Sequence, residues 1–372
     1  MKNTFGNSIS LTLFGESHGE MIGAVLDGLA PGIHIDEEEI ASYLALRRPS
    51  GSISTPRVER DNFKIVSGVF EGYTTGTPLT ILIPNENTRS CDYEKTAKLP
   101  RPGHADFTAD QKYHGYEDYR GGGHFSGRIT APIVAAGAIL LSALKSKGIL
   151  IGSHILSLGD VCDRPFDETC TEADIELVAN SQFSVLDESV KGKMIEAINE
   201  ARSNGDSVGG VLETLVIGVP AGVGEPWFDS LEGVLSHAVF SIPAVKGIEF
   251  GAGFSFAKMT GSEANDQFKN ENGKIKTVTN NNGGINGGIS NGMPIRFKTA
   301  IKPTPSISLP QGTVDLFSGE DSVIEIKGRH DPAIIHRARI VVDAITALVI
   351  ADMLSVRYGT DWLGSGKDKK DI

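Results

Sequence analysis

Residues 8–14 read S-I-S-L-T-L-F, with an apolar side chain at every second position, the pattern of a half-buried strand. Residues 21–26 supply its expected hairpin partner, and residues 64–70 and 79–84 read as strands on either side of a Gly/Thr turn at 72–76. The period changes at residues 36–46, where Ile40, Tyr43 and Leu44 fall at helical spacing and Asp36 is placed to cap the first turn. Residues 132–147 are apolar on nearly every face and predict a buried helix, whereas residues 189–203 keep a charged face. Further along, 209–219 and 247–256 are strand-like, 227–240 is helical, and 332–358 is expected to close the fold as a long helix.

Two of these helices echo each other. A glycine run at 121–127 leads into R-I-T-A-P-I-V-A-A-G-A-I-L-L, and a second run at 283–292 precedes R-A-R-I-V-V-D-A-I-T-A-L from Arg337. Two pseudo-equivalent halves with a seam near residue 205 would explain the likeness, and so would chance similarity of two apolar helices.

Composition narrows the class. Glycine is the outlier, 44 of 372 residues or about 12% against a usual ~7%. With no G-x-y period, these glycines read as loops that bring backbone close to something. A net charge of −12 opposes a general polyanion surface, so no nucleic acid and no membrane partner is expected, while a local basic site for one small anion stays open. Residues 1–19 hold no secretory core, and the longest apolar runs, 133–144 and 344–354, fall short of the ~20 residues a membrane span needs. Cys91, Cys162 and Cys170 are odd in number and lack C-x-x-C spacing, and no H-E-x-x-H accompanies the histidines. A reduced, cytoplasmic protein without a metal site is the expectation, organised as one domain over 1–363 with a disordered tail at 364–372.

Four motifs carry chemistry. Gly15-Glu16-Ser17-His18-Gly19 fits G-x-S-x-G, the turn that lifts a nucleophilic serine above a hydrolase sheet, but only fourteen residues precede it. A plain turn, or an exposed acid/base His18, fits equally. Arg101-Pro102-Gly103-His104-Ala105-Asp106 places an arginine and an aspartate around a histidine, an anion site beside a proton carrier or a surface turn with a salt bridge. Arg120 to Thr130 sets three successive glycines and two arginines before a helix, which suits an anion but matches neither phosphate-loop pattern. In Gly328-Arg329-His330-Asp331-Pro332, Asp331 is a natural helix cap and Pro332 suits the first helical position. Together these predict an enzyme of proton transfer or elimination on a phosphorylated or polycarboxylate metabolite.

The four motifs in this order resemble the chorismate synthase family, from Gly15 to Asp352. G-E-S-H-G, R-P-G-H-A-D and G-R-H-D-P stand unchanged, as do D-S-V-G-G at Asp206, G-E-P-W-F-D at Gly224, A-V-K-G-I-E at Ala244, G-G-I-S-N-G at Gly287 and K-P-T-P-S at Lys302. The resemblance implies an α+β fold with helices sandwiched between two antiparallel sheets and pseudo-duplicated halves. It implies a lyase that converts 5-enolpyruvylshikimate 3-phosphate to chorismate by anti 1,4-elimination, dependent on reduced FMN, in aromatic amino-acid biosynthesis. It also implies a homotetramer and an external flavin reductase, with self-reduction by NADPH left open. By this likeness His18 protonates the reduced flavin with Ser17 beside it, His104 protonates the departing phosphate, and Asp331 accepts a proton near the flavin. Arg47, Arg57, Arg101, Arg128 and Arg329 match arginines that face substrate or cofactor. Flavin contacts are expected from His124, Phe125, Ser126, Pro243, Ala244, Gly287, Lys302, Pro303, Thr304, Pro305, Ser306 and Arg329.

The chain departs from the family pattern at three places. His124, Phe125 and Ile129 replace an arginine, a serine and a glutamate in the glycine loop, Ser50 and Ile53 stand where glycine and arginine are common, and His336 replaces a frequent proline. Two rival readings remain at this level, a serine hydrolase through Ser17 and a non-catalytic paralogue that only binds a phosphometabolite.

Overall fold

The computed structural model describes residues 2–49, 51–54, 60–86, 98–167, 170–326, 331–364 and 366. Its main strands are β1 (Thr4–Phe5), β2 (Ser10–Gly15), β3 (Met21–Asp27), β4 (Lys64–Ser67), β5 (Leu79–Pro84), β6 (Leu150–Leu158), β7 (Val161–Cys162), β8 (Gly210–Ile217), β9 (Val245–Phe250) and β10 (Ile295–Ile301). Its main helices are α1 (Glu37–Arg47), α2 (Asp106–Tyr113), α3 (Thr130–Ser146), α4 (Glu172–Asn180), α5 (Glu188–Ser203), α6 (Leu231–Val239) and α7 (Ile335–Tyr358). The fold is mixed α+β.

The strands form two five-stranded antiparallel sheets, ordered β1-β2-β3-β5-β4 and β9-β10-β8-β6-β7. In the first, Ser10 pairs with Asp27 and Gly15 with Ile22, so the hairpin that the alternation predicts has its turn at residues 16–20. Ile22, Ala24 and Leu26 point one way into the core with Leu79, Ile81 and Ile83 of the neighbouring β5. Helix α3 packs against β3 and β5, α7 packs against β6 and β8, and the two helices pack on each other. Their approach is close because Gly137 has no side chain: a Cβ there would lie 2.6 Å from the Ala344 Cα. One hydrophobic cluster runs from Ile9 to Leu363.

Charged groups inside this core are paired. Asp352 on α7 accepts the backbone N–H groups of Asn7 (2.9 Å), Ser8 (2.7 Å) and Ile9 (2.9 Å), which pins the first strands to the last helix. Arg339, fully buried, donates to Asp343 at 2.8 Å and to the carbonyls of Ala179 and Ser181, tying α7 to the end of α4.

Several expectations shift. The seam near residue 205 is not where the sheets divide, because β6 before it and β8 after it are hydrogen-bonded neighbours. The change of sheet falls between Pro84 and Leu150. The expected helix at 332–358 begins at Ile335, and Asp331 does not cap it: the cap position is Ile334, without a side-chain bond, and Asp331 pairs with Arg337 instead. The strand expected over 247–256 stops at Phe250, where Gly251 (φ 55°) and Gly253 (φ 53°) turn the chain. The helix expected at 227–240 starts only at Leu231, capped by Ser230, because Trp227 takes φ 70°. Gly127–Ser146 is by length and apolarity the one candidate membrane span among the described residues, longer than the runs read from the sequence, yet 83% of its apolar window is buried inside the fold. Cys162 and Cys170 are free, and Cys91 lies outside the described residues. So does the terminal tail apart from Gly364 and Gly366.

Candidate active site

The glycine loop at 120–127 is a meeting point. Gly121 (φ 61°), Gly122 (φ 84°) and Gly123 (φ 51°) all take left-handed conformations that favour glycine. A Cβ on Gly121 would overlap the His18 ring and lie 3.0 Å from Ser17 Oγ. A Cβ on Gly122 would lie 3.1 Å from His104 Cε1 and 3.4 Å from His104 Nε2. Two consecutive glycines therefore seat two histidines that are distant in sequence.

Ser17 and His18 belong to the turn between β2 and β3. Ser17 N donates to Gly123 O at 3.1 Å, and the Ser17 hydroxyl lies 3.2 Å from His18 Nδ1 and reaches the carbonyls of Arg120 (3.2 Å) and Gly121 (3.3 Å). At 1% exposure, in a strand-to-strand turn, this serine lacks both the accessibility and the strand-to-helix setting of a hydrolase nucleophile. Asn85 braces the turn: its side-chain N–H groups donate to Glu16 O and Gly19 O, both at 2.9 Å.

His104 is oriented from its other nitrogen. Its Nδ1 lies 2.5 Å from Asp106 Oδ1 and 3.1 Å from Arg101 Nη2. It cannot donate to the first and accept from the second at once. The carboxylate contact is shorter, and Arg101 is already committed to Asp106 through Nε (2.7 Å) and Nη2 (2.8 Å). Nδ1–H therefore donates to Asp106, and Nε2 is the atom on the Gly122 side. Burial pushes the Asp106 carboxyl up, but hydrogen bonds and charge from Arg101 and His104 outweigh it and hold the group well below the ordinary range.

The 302–306 stretch packs onto this loop. Lys302 Nζ donates to Gly103 O, and Arg101 Nη1 reaches Ser306 Oγ at 3.4 Å. Lys302 N donates to Ala244 O at 2.9 Å, and Ala244 holds φ 73°, so Pro243 and Ala244 join the same wall. Burial, with Lys246 adding, lowers the Lys302 ammonium pKa below its usual 10.5. Pro303 lies beside Gly209, while Thr304 Oγ1 is buried without a hydrogen-bond partner among the described residues.

A second group is built on Asp61. Arg47 Nη2 donates to its Oδ2 at 2.9 Å and Arg128 Nη1 to its Oδ1, with Arg48 Nε at 3.8 Å. Arg128 is further held by Asn85 Oδ1 (3.1 Å) and Pro84 O (3.1 Å). Arg337 Nε donates to Arg47 O at 2.8 Å, and its Nη1 meets Asp331 Oδ2 at 2.5 Å. The chain Asn85–Arg128–Asp61–Arg47–Arg337–Asp331 thus links the Ser17–His18 turn to the start of α7.

Other expected residues lie elsewhere. His124 Nδ1–H donates to Gly15 O at 2.8 Å, and His124 and Phe125 line a cleft of about 340 Å³ with Phe14, Tyr113 and Glu117. Ser126 accepts from Arg128 N at 3.3 Å. Gly287 sits in a hairpin whose next residue, Gly288, packs on Glu225 and Ser230, away from the His104 group's contacts. Arg57 and Arg329 lie outside the described residues. Asp106 is visible in the histidine motif as a flanking carboxylate; Asp61 and Asn85 carry no sequence signal, since neither belongs to a recognisable motif.

Two histidines on a glycine loop, with an arginine and a lysine alongside, form a group chemically suited to an enzyme's proton transfer beside a small anion. The comparisons make this specific. The family model for chorismate synthase matches residues 9–355. Chorismate synthase of Thermococcus gammatolerans is 48% identical over 350 residues, covering 94% of this chain and 96% of that protein. That of Pyrococcus abyssi is 47% identical over 353 residues, covering 95% and 97%. A solved chorismate synthase superposes with a TM-score of 0.74 at 29% identity, covering 95% of this chain and 94% of its own. The chain belongs to the chorismate synthase family, lyases of the shikimate pathway, and is an enzyme acting on a small-molecule substrate.

Proposed function

We propose that the chain converts 5-enolpyruvylshikimate 3-phosphate to chorismate and phosphate by anti 1,4-elimination with reduced FMN bound. The observation that carries this reading is the seating of His18 and His104 on Gly121 and Gly122, with Arg101 and Lys302 alongside. The residues fit a flavin: the unpartnered Thr304 hydroxyl, the Lys302 ammonium and the Ser306 hydroxyl offer polar groups on one stretch beside His104. That stretch, with Pro243 and Ala244, would hold the cofactor. Bound reduced flavin lends electron density to a ring whose allylic carbon–oxygen bond is otherwise slow to break.

The chain's own groups do the rest. His104, with Nδ1 fixed by Asp106, presents Nε2 to donate a proton to the leaving phosphate. His18, anchored at Nδ1 by Ser17, is the second proton carrier against Gly121. Asp331, held by Arg337, is the carboxylate that receives the ring proton, and Arg47, Arg101 and Arg128 bind the substrate's carboxylates and phosphate.

This reading extends to a single domain over 1–363 with helices layered between the sheets, supported by the continuous core and by the α3–α7 pairing. It extends also to a cytoplasmic homotetramer, and exposed Trp227 (85%), Phe228 (96%) and Phe254 (86%) support association between copies. Reduced flavin from an external reductase is part of this reading, and an NADPH-oxidation assay without added reductase decides between that source and self-reduction. The deciding experiment is anaerobic: substrate plus dithionite-reduced FMN should yield chorismate and phosphate in equal amounts, and no product overturns the reading. A fluorophosphonate probe should leave Ser17 unlabelled.

A further inference from the structure

Asp61 lies on the connection between α1 and β4 with φ 52°, a left-handed backbone that residues with a side chain adopt only under constraint. Its side chain has no exposed surface. Burial pushes its carboxyl pKa up, yet Arg47 and Arg128 together hold it below 3.8, so it stays ionised at working pH. Among the described residues it is the one carboxylate that both guanidinium groups reach. Arg47 (3% exposed) and Arg128 (6% exposed) are themselves buried, and two buried like charges at this range repel unless an anion lies between them.

We propose that Asp61 is a positioning residue for the anionic substrate: a resident counter-anion that seats Arg47 and Arg128 in fixed orientation before substrate enters. The proposal rests on the reading of these two arginines as substrate-binding. A guanidinium on a free stem has many rotamers, and ordering it on binding costs affinity. Here that cost is met in the empty enzyme. Arg128 is further fixed by Asn85 and Pro84, and Arg47 by the Gly127 carbonyl at 3.5 Å. Three guanidinium groups, Arg47, Arg48 and Arg128, approach this one carboxylate. Asp61 needs no contact with substrate to do this.

The test titrates 5-enolpyruvylshikimate 3-phosphate calorimetrically into wild type, Asp61→Asn and Asp61→Glu, with turnover, FMN affinity and Tm measured on each. Losing charge-assisted bonds on both arginines should weaken substrate binding about tenfold in Asp61→Asn. FMN affinity should stay within about twofold and kcat at saturating substrate within about threefold, with Asp61→Glu intermediate in substrate affinity. A purely structural role would instead lower FMN affinity, kcat and substrate affinity together with Tm, which overturns the proposal. Wild-type or tighter substrate binding by Asp61→Asn also overturns it. Should Asp61→Asn not fold, Asp61→Glu decides: a threefold or greater loss of substrate affinity at near-native Tm supports the proposal, and an unchanged affinity refutes it. A wild type that binds no substrate removes the functional reading and this proposal together. Normal wild-type turnover with an unaffected Asp61→Asn removes the proposal alone.

Discussion

Replacing Gly121 by alanine puts one methyl group where the His18 ring now lies. Two costs follow, and they are separable. The first is backbone: φ 61° is left-handed, and a non-glycine residue there costs about 1–2 kcal/mol, paid in stability. The second is positional. The built Cβ overlaps both Nδ1 and Cε1 of His18, and an ordinary contact needs about 3.4 Å, so the ring must retreat by on the order of 1 Å. A misplacement of that size in a proton-transfer group costs on the order of 10²-fold in rate, or ~2.7 kcal/mol of barrier. Gly122→Ala is the internal control: its Cβ would stand 3.1 Å from His104 Cε1, a few tenths of an ångström too near, so the same backbone cost should come with only about a tenfold loss. Initial rates of chorismate formation under anaerobic conditions, with Tm beside them, measure both. If Gly121→Ala keeps kcat within threefold of wild type while Tm falls as expected, His18 has no positional role and the argument fails.

Asp106→Asn removes the carboxylate charge and one of the two acceptor oxygens that hold His104 Nδ1–H and Arg101; kcat should fall by about 10²–10³ with little change in FMN affinity, read by single-turnover kinetics and flavin titration. Gly137→Ala drives a methyl into Ala344 at the α3–α7 crossing and should cost about 1–3 kcal/mol without altering kcat per folded molecule, measured by denaturant unfolding. Burial, with Arg337 adding, pushes the His336 imidazole down from 6.5 to about 3, so below pH 6.5 the unfolded chain takes a proton that the folded one refuses. Stability should therefore fall by about 1.4 kcal/mol per pH unit from pH 6 toward pH 5 from this group alone, and His336→Asn should flatten that slope in Tm-versus-pH scans.

Local patterns in the sequence reached the first sheet because its signals are local. Residues 8–14 alternate, Asp36 caps α1 through Glu38 N and Glu39 N, and a Gly/Thr turn separates β4 from β5. The second sheet was harder to read. β6 holds Ser153 and His154, both fully buried, and the apolar alternation that marks a strand is broken by polar groups satisfied at long range. Ser153 bonds Thr214 and Asp343, while His154 lies between Asp163 and Glu213. Apart from Asp163, nine residues on from His154, those partners lie far outside any window of local sequence. The start of α7 misled for a related reason: Asp331-Pro332 is a sound capping pair locally, yet Arg337 claims the carboxylate.

The site divides along the same line. Motif residues were legible because their chemistry is carried by the residue type, but their partners are set by geometry that spans the chain. Net charge shows the difference most clearly. An excess of twelve negative charges argues against a polyanion surface, yet it says little about the site. Charges beyond about 8 Å are screened at physiological ionic strength, so a ligand entering the cleft responds to the groups beside it. The candidate cations fall in two groups, Arg101 and Lys302 around His104 and Arg47, Arg48, Arg128 and Arg337 around Asp61 and Asp331, and the carboxylates Asp61, Asp106 and Asp331 are each held by at least one arginine. A small anion bound beside either group therefore meets cations already held in place by local partners, whereas a long polyanion would have to cover the acidic exterior as well.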